Sequence, residues 1–350
     1  VSEPYAGPSC PVPSQPRGEI VLGHGSGGRL AHELFERVFL PAFDNPALRA
    51  RDDQAVVAVG SSRIAFTTDS FVVSPLFFPG GDIGELAVNG TVNDLACSGA
   101  RPLWLSAAFI LEEGFPLASL ERVVASMKRA ALAASVAIVT GDTKVVQRGK
   151  GDGIFINTAG IGLVPDGVTL TASASRPGDV VLVSGTLGDH GVAVLAAREG
   201  LGFGPELRSD TAPLADLAAA LLRAAPGTRC LRDPTRGGLA AALVELGQQA
   251  GLACELEEAT IPISEPVRGA LELLGLDPLF IANEGKLCAI VPPAEAEAAL
   301  AALRDHPLGK NAARVGLFRE GRRGALTVRT RIGGVRQVEL PLTDPLPRIC

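Results

Sequence analysis

The chain has 350 residues, 47% of them hydrophobic and 20% charged, which at roughly 100–200 residues per domain supports about two domains with apolar cores and excludes disorder for most of it. The formal net charge of −6, the 4% aromatic content and the lack of a basic block argue against nucleic acid as the main ligand. No apolar run approaches the ~20 residues that span a bilayer, so no membrane segment is expected.

In chain order, residues 1–16 have Pro and Ser but no charged region followed by an apolar stretch; they read as a disordered leader, not a signal peptide. Glu19 to Leu22 reads as a short strand and Arg29 to Leu40 as a helix with Leu30, Leu34, Phe35 and Val38 on one face. Between them, Gly23-His24-Gly25-Ser26-Gly27-Gly28 matches G-x-G-x-x-G. The dinucleotide reading needs a second parallel strand ending in an acid about 20 residues on, and residues 41–53 show no strand pattern. The P-loop reading fails because Arg29 and Leu30 stand where Lys and Ser/Thr belong. What remains is a glycine loop able to turn backbone N–H groups toward an anion, or a plain turn. His24 is either a base or phosphate contact there, or part of the loop's structure.

Strand patterns follow at Ala55–Val59, Ile64–Thr67, Leu103–Leu111, Ala137–Thr140 and Ile154–Leu163, with helical patterns at Ile83–Cys97 and Pro116–Ala134. Short turns between strands require antiparallel pairing, so the fold class is α+β. A Ser, Pro and Gly cluster at 172–179 marks the expected boundary between a domain at 17–172 and one at 173–340. The second half again mixes the two kinds of element. Strands are expected at Val180–Ser184, Ala253–Leu256 and Lys286–Val291, helices near Leu187–Arg198, Pro213–Ala224, Gly238–Ala250, Pro266–Leu274 and Ala294–Asp305, then strands to Leu340. The last ten residues, PLTDPLPRIC, carry three prolines, which predicts an extended, mobile tail over 341–350.

Six cysteines (Cys10, Cys97, Cys230, Cys254, Cys288 and Cys350) contain no C-x-x-C. That spacing excludes a zinc knuckle and fits a reducing cytoplasm. The inner four, in apolar or small-residue settings, read as buried thiols. Cys350 stands apart because it ends the tail.

The carboxylates are more informative. Asp53 precedes a strand, Asp69 ends one, Asp94 lies in the helical GTVNDLA, Asp142 follows the strand ending at Gly141, and Asp233 opens DPTRGG. Each alone reads as a cap or turn acid. Together, in glycine- and threonine-rich settings, they suit a hard cation such as Mg²⁺ that takes oxygen ligands and bridges phosphates.

The strings HGSGGRL, FTTDSFVVSPLFFPGGDIGELAVNGTVNDLA, FILEEGF, TGDTKVV, IFINTAGIG, DPTRGGLA, GLDPLFIANEGKL and the terminal PRIC resemble the HypE family of hydrogenase maturation factors, within the ATP-binding superfamily of aminoimidazole ribonucleotide synthetase and selenophosphate synthetase. The resemblance runs from about Val21 to Cys350. It implies a two-domain aminoimidazole ribonucleotide synthetase-like fold, a homodimer, and ATP with Mg²⁺. It also implies a reaction in which a partner carbamoyltransferase loads Cys350 and ATP drives dehydration of the S-carboxamide to a thiocyanate. The cyano group would then pass to the iron of a nickel–iron hydrogenase site on an iron-carrying complex of other maturation proteins. Carried onto this chain, Asp53, Asp69, Asp94 and Asp233 are the expected metal ligands. Thr68, Asn93, Gly141, Asp142 and Thr143 are the expected nucleotide contacts, and Cys350, Lys144 and Glu284 the catalytic groups. Asn283 and Arg236 are weaker candidates, Arg236 either for phosphate or as an anchor of its own turn. The rival readings are a superfamily phosphotransferase on a small molecule, whose ATP turnover would not need Cys350, and a non-enzymatic carrier or scaffold.

Overall fold

A computed structural model describes residues 19–25, 28–343 and 345–350. The expected leader, Cys10, and Ser26 and Gly27 of the glycine loop lie outside the described residues.

The chain opens with a 3₁₀ turn at Leu22–Gly25, not the strand expected over Glu19 to Leu22; His24 closes that turn by bonding the backbone of Val21. The first helix runs as α1 (Arg29–Leu34), a π-helical segment (Phe35–Phe39) and α2 (Leu40–Phe43), with α3 (Pro46–Ala50) after it. Then come β1 (Ala55–Val59), β2 (Ser62–Phe71), a small hairpin of β3 (Phe77–Phe78) and β4 (Gly81–Asp82), α4 (Ile83–Cys97), β5 (Arg101–Glu112), α5 (Leu117–Ala133), β6 (Ala137–Val146) and β7 (Ile154–Val164). The first large sheet has the order β1-β2-β7-β5-β6, antiparallel except for β5 and β6, which pair in parallel across the α5 crossover.

Residues 165–179 contain only the 3₁₀ turn Ala172–Ala174. The second half holds β8 (Val180–Val183), α6 (Asp189–Glu199), α7 (Ala215–Ala224), β9 (Cys230–Arg232), α8 (Gly238–Ala250), β10 (Ala253–Glu257), α9 (Glu265–Leu274), β11 (Cys288–Val291), α10 (Ala296–Asp305), β12 (Ala313–Arg319), β13 (Leu326–Arg329) and β14 (Val335–Val338). Its sheet runs β14-β13-β10-β12-β8-β11-β9. The inner strands β8 and β11 read VVLV and CAIV because they are buried throughout. Mixed sheets with helices packed on them bear out the α+β class.

α4 is the common element. It is buried all round except at Glu85 and Asp94, as expected of a helix without a polar face. Its middle packs in one core with β5, β7, α5, α6 and α9, and its end, at Ala96 and Cys97, in another with β8, α7 and α10. Asp94 is thereby fixed where the two sheet systems meet. Gly90 lets the helix lie against Phe71 at the end of β2, where a Cβ would stand 3.0 Å from the ring.

β6 differs from the other strands. The pattern stops at Thr140, but the strand continues to Val146, so Asp142 lies within it and not beyond its end. All but its last residue are exposed, among them Val139 at 60% and Val145 at 65%. Likewise, Asp69 lies inside β2 and not at its end. No described helix is long and apolar enough to cross a membrane.

Phe71 is 1% exposed and joins β2 to α4. Phe71→Ala leaves a cavity there and is expected to cost about 3–5 kcal/mol, read as a lowered midpoint in urea unfolding.

Candidate active site

Five acids converge from different segments. Asp53 comes from the loop before β1, Asp69 from β2, Asp94 from α4, Asp233 from the turn after β9 and Glu284 from the loop before β11. Their closeness shows in their mutual charge effects. Burial, then the charges of Asp233, Asp69 and Asp53, pushes Asp94 well above the ordinary carboxylate range. Asp233 is pushed up to about 8 by burial and then by Asp53. Asp53 and Asp69 also rise, burial leading in both. Glu284 is 3% exposed and raised well above its usual value by burial, then by Asp233, Asp69 and Asp210. Its Oε1 is buried without a partner.

Two arginines answer this charge. Arg232, 7% exposed, pairs with Asp53 (Nη1 to Oδ1, 2.5 Å) and more distantly with Glu245 (3.5 Å). Arg236 sits over the cluster, donates to the Gly25 carbonyl (3.1 Å), and is raised chiefly by the charge at Cys350 and then, against burial, by Asp69, Glu284 and Asp94. The chain's last residue therefore lies within electrostatic reach of the group that faces three of the acids. Arg236 is a weak candidate in the sequence; the structure places it between tail and cluster.

Other side chains hold the acid-bearing segments in place. Asn93, expected as a nucleotide contact, is 1% exposed and braces the site: it donates to the carbonyls of Glu284 and Ala212 (3.1 Å each) and accepts from the Leu214 N–H (2.8 Å). Asn283 is buried, accepts from the Gly188 N–H (2.8 Å) and donates to the Pro234 carbonyl (3.0 Å), linking the Glu284 loop to the Asp233 turn. Asp210 accepts from the Glu284 N–H (3.0 Å) and from Lys286 Nζ (2.9 Å), and these contacts keep it low against burial. The loop also needs Gly285, where a Cβ would stand 1.7 Å from the Asp210 carbonyl oxygen.

Four of the expected residues sit on an element that carries none of the five acids. Gly141, Asp142, Thr143 and Lys144 are on β6, the edge strand of the first sheet opposite β1. Lys144 Nζ pairs with Asp142 Oδ2 at 2.7 Å on an exposed surface and holds that carboxyl low. Gly141 also has a packing reason, since a Cβ there would stand 2.1 Å from the Ala107 carbonyl oxygen of β5. Under this strand is a cavity of about 840 Å³ lined by Phe109, Met127, Leu132, Gly141 and Thr143 among others. A second cavity, of about 540 Å³, reaches Asp53 and Thr68 with Phe66, His32 and Gln54.

Local sequence reasoning misses Arg232, Asp210 and Lys286, whose partners are remote in the chain. It also takes Cys97 for a bystander. Burial does push that thiol up, yet its Sγ lies 3.9 Å from Asp233 Oδ1, and ligand atoms of Asp53, Cys97 and Asp233 fall within 4.8 Å of one another. Cys230, Cys254 and Cys288 are buried as expected, with Cys230 pushed up to about 12.

A glycine loop beside clustered acids, on two consecutive α+β units, defines the class. Family models for the AIR synthase related protein N-terminal and C-terminal domains match residues 51–164 and 176–329. Within that class the chain belongs to the HypE carbamoyl dehydratase family. Carbamoyl dehydratase HypE of Cupriavidus necator is 56% identical over 334 residues, 95% of each chain. A solved hydrogenase maturation protein HypE in complex with ATP is 48% identical with a TM-score of 0.80, covering 95% of this chain and 100% of that one. HypE from a HypE–HypF complex gives 47% identity and a TM-score of 0.84 over 88% and 99%.

A carboxylate whose pKa is raised by folding destabilises the folded state once the pH passes its ordinary value, and the penalty grows until the pH exceeds the folded pKa. Asp94→Asn removes that penalty while its oxygen can still accept from Thr67 Oγ1, now 2.8 Å from Asp94 Oδ2. Differential scanning fluorimetry at pH 7.5 should show the variant melting several degrees above the parent without ligand, and losing the added gain the parent shows with Mg-ATP.

Proposed function

We propose that this protein uses ATP to dehydrate the S-carboxamide carried on its own Cys350, giving a thiocyanate whose cyano group becomes the cyanide ligand of nickel–iron hydrogenase. The observation that carries the reading is the docking of the terminal cysteine against the strand end that follows Asp69, where the Val72 N–H holds the Cys350 carbonyl at 2.9 Å, with the charge at Cys350 acting on the same Arg236 as those of Asp69, Glu284 and Asp94. Family membership supports the dehydratase activity, and the ATP-bound relative supports the nucleotide.

Chemically, a carboxamide oxygen is a poor leaving group and must first be converted. Attack of that oxygen on the γ-phosphorus forms an O–P bond, breaks the bond to the β-γ bridging oxygen and releases ADP. One nitrogen proton leaves with this step. Removal of the second proton then lets the nitrogen electrons form the C≡N bond as the C–O bond breaks and phosphate departs. Overall, R–S–C(O)NH₂ and ATP give R–S–C≡N, ADP and phosphate. Glu284 is suited to accept a nitrogen proton: a carboxylate raised toward neutrality by burial is a stronger base than a free one, and Arg236 favours its ionised form. Arg236 also orients the terminus of the chain.

Asp53, Asp69, Asp94 and Asp233 would hold Mg²⁺. Their carboxylate oxygens and a mutual repulsion only partly offset by Arg232 and Arg236 fit a hard divalent cation, which when bound supplies charge neutralisation for the phosphates. Thr68, at the mouth of the cavity beside Asp53, would contact the nucleotide.

Lys144, Asp142, Thr143 and Gly141 enter the scheme through a second copy. A ten-residue edge strand carrying exposed Val139 and Val145 beside Trp104 at 50% and Leu132 at 71% is an unfavourable surface to leave in water. Pairing of two chains across β6 covers it and places these residues at a site between copies, where Lys144 can exchange Asp142 for phosphate or the reacting amide. The domains divide at 172–173, and the tail over 341–350 leaves its dock to be loaded by a partner carbamoyltransferase and to deliver the cyano group to the iron-carrying complex. The relative solved with HypF supports a partner on this fold. A reducing cytoplasm suits a reactive terminal thiol.

The test is mass spectrometry of the C-terminal peptide after carbamoylation and addition of Mg-ATP. Loss of one water is expected; a carboxamide that persists while ATP is consumed overturns the reading. Glu284→Gln should slow the loss of water by about 10²–10⁴-fold with ATP binding retained.

A further inference from the structure

The tail does not hang free in this structure. Leu346 and Ile349 are 5% and 1% exposed, and the last four residues are held by hydrogen bonds at their backbone. Arg198 clamps this stretch with three bonds: Nε donates to the Ser74 carbonyl (2.8 Å), Nη1 to that of Pro347 (2.9 Å) and Nη2 to that of Arg348 (2.7 Å). His190, fully buried, stands 2.8 Å through Nε2 from the Ile349 carbonyl oxygen. A carbonyl only accepts, so Nε2 carries the proton, and Nδ1, 2.8 Å from Ser209 Oγ, accepts from that hydroxyl. Opposite α6, the Val72 N–H donates to the Cys350 carbonyl (2.9 Å) and the Ser74 N–H to that of Arg348 (3.3 Å). Arg348 returns a bond to the Val72 carbonyl (3.0 Å) and pairs with Asp152 (2.5 Å).

We propose that His190 and Arg198 are positioning residues that set the register of the docked tail, so that Cys350 and no neighbouring residue is delivered to the acid cluster. This deepens the function proposed above and rests on it. Both residues lie on α6, eight positions and therefore about 12 Å apart along its axis. The segment between the carbonyls they hold, Pro347 to Ile349, turns at Arg348, whose φ is 55°, and so spans less than the roughly 7–10 Å of two or three extended residues. The helix is thus a rigid ruler against which the tail is measured. Both side chains bond main-chain carbonyls, so the dock reads position and not cargo. It would hold the thiol, the carboxamide and the thiocyanate alike. His190 also joins the dock to the base: Ser209, its partner, adjoins Asp210, which fixes the Glu284 N–H.

The dock is measured apart from the chemistry by the rate at which iodoacetamide alkylates Cys350 in the full chain, followed on the C-terminal peptide. Dehydration is measured as single turnover on the carbamoylated chain with Mg-ATP. Arg198→Ala and His190→Ala should each speed alkylation by tenfold or more and slow dehydration by a similar factor, with the affinity for a non-hydrolysable ATP analogue unchanged. His190→Gln, which keeps an N–H donor, should recover part of both. Insertion of one glycine between Arg348 and Ile349 leaves α6 intact and should slow dehydration equally while ATP still binds. Unchanged alkylation in Arg198→Ala, or full dehydration after the insertion, overturns the proposal. So does a loss of dehydration accompanied by loss of analogue binding, which would mark a merely structural role. If the parent chain itself fails to dehydrate, the functional reading falls, and the alkylation rates still decide whether the dock exists.

Discussion

The constraint on which the structure depends is the mutual repulsion of Asp53, Asp69, Asp94, Asp233 and Glu284. Each is at least partly withdrawn from water, and Asp53, Asp69 and Asp233 raise the cost of ionising their neighbours. Such an arrangement is unfavourable for a chain by itself; acids in a low-dielectric setting either take up protons or require a positive partner. Arg232 is a fixed partner for Asp53, and Arg236 an exposed one for the side facing the tail. The acids these two leave unmatched take up protons or meet positive charge supplied from outside the chain.

Holding like charges together demands a stiff frame, and the frame is built from buried polar side chains that bond the main chain. Asn93 ties α4 to the Glu284 loop and to the start of α7; Asn283 ties that loop to the Asp233 turn; Asp210 with Lys286 ties it to the segment before α7. All four lie within the part of the molecule where α4 joins both sheet systems. An asparagine that reads in the sequence as a nucleotide contact thus also braces the Glu284 loop.

What was legible in the sequence follows from how local the physics is. α4, α8 and β1 are bounded correctly because their start and stop signals lie within a few residues, as with Asp82 accepting the N–H groups of Gly84 and Glu85 at the start of α4 and glycines at both ends of α8. β6 is cut short because its residues face solvent in a single chain, so the run TGDTKVV carries no alternation. The individual acids are legible through their glycine- and threonine-rich settings. Their counter-charge is not: Arg232 meets Asp53 across 179 residues, and the tail's contact is as remote, Arg198 meeting the Pro347 carbonyl across 149. Cys97 escapes for the same reason, since its apolar sequence neighbours say nothing about Asp233 beside it in space.

The tail must satisfy two opposed demands. On the proposed function it must place one atom accurately among five acids to react, and leave to be loaded and unloaded. Hydrogen bonds suit that compromise, because each replaces a bond to water and contributes only about 0.5–1.5 kcal/mol net, so the contacts made by Arg198, His190 and Val72 amount to a few kcal/mol while fixing direction at every residue. Apolar burial of Leu346 and Ile349 adds attraction without direction. Proline at 341, 345 and 347 restricts the undocked chain and so lowers the entropy lost on docking. A tail held by larger side chains in deep pockets would dock more tightly and exchange more slowly, and one without the carbonyl contacts would be free to slip by a residue. Accuracy here comes from the number of weak directional contacts and reversibility from the weakness of each.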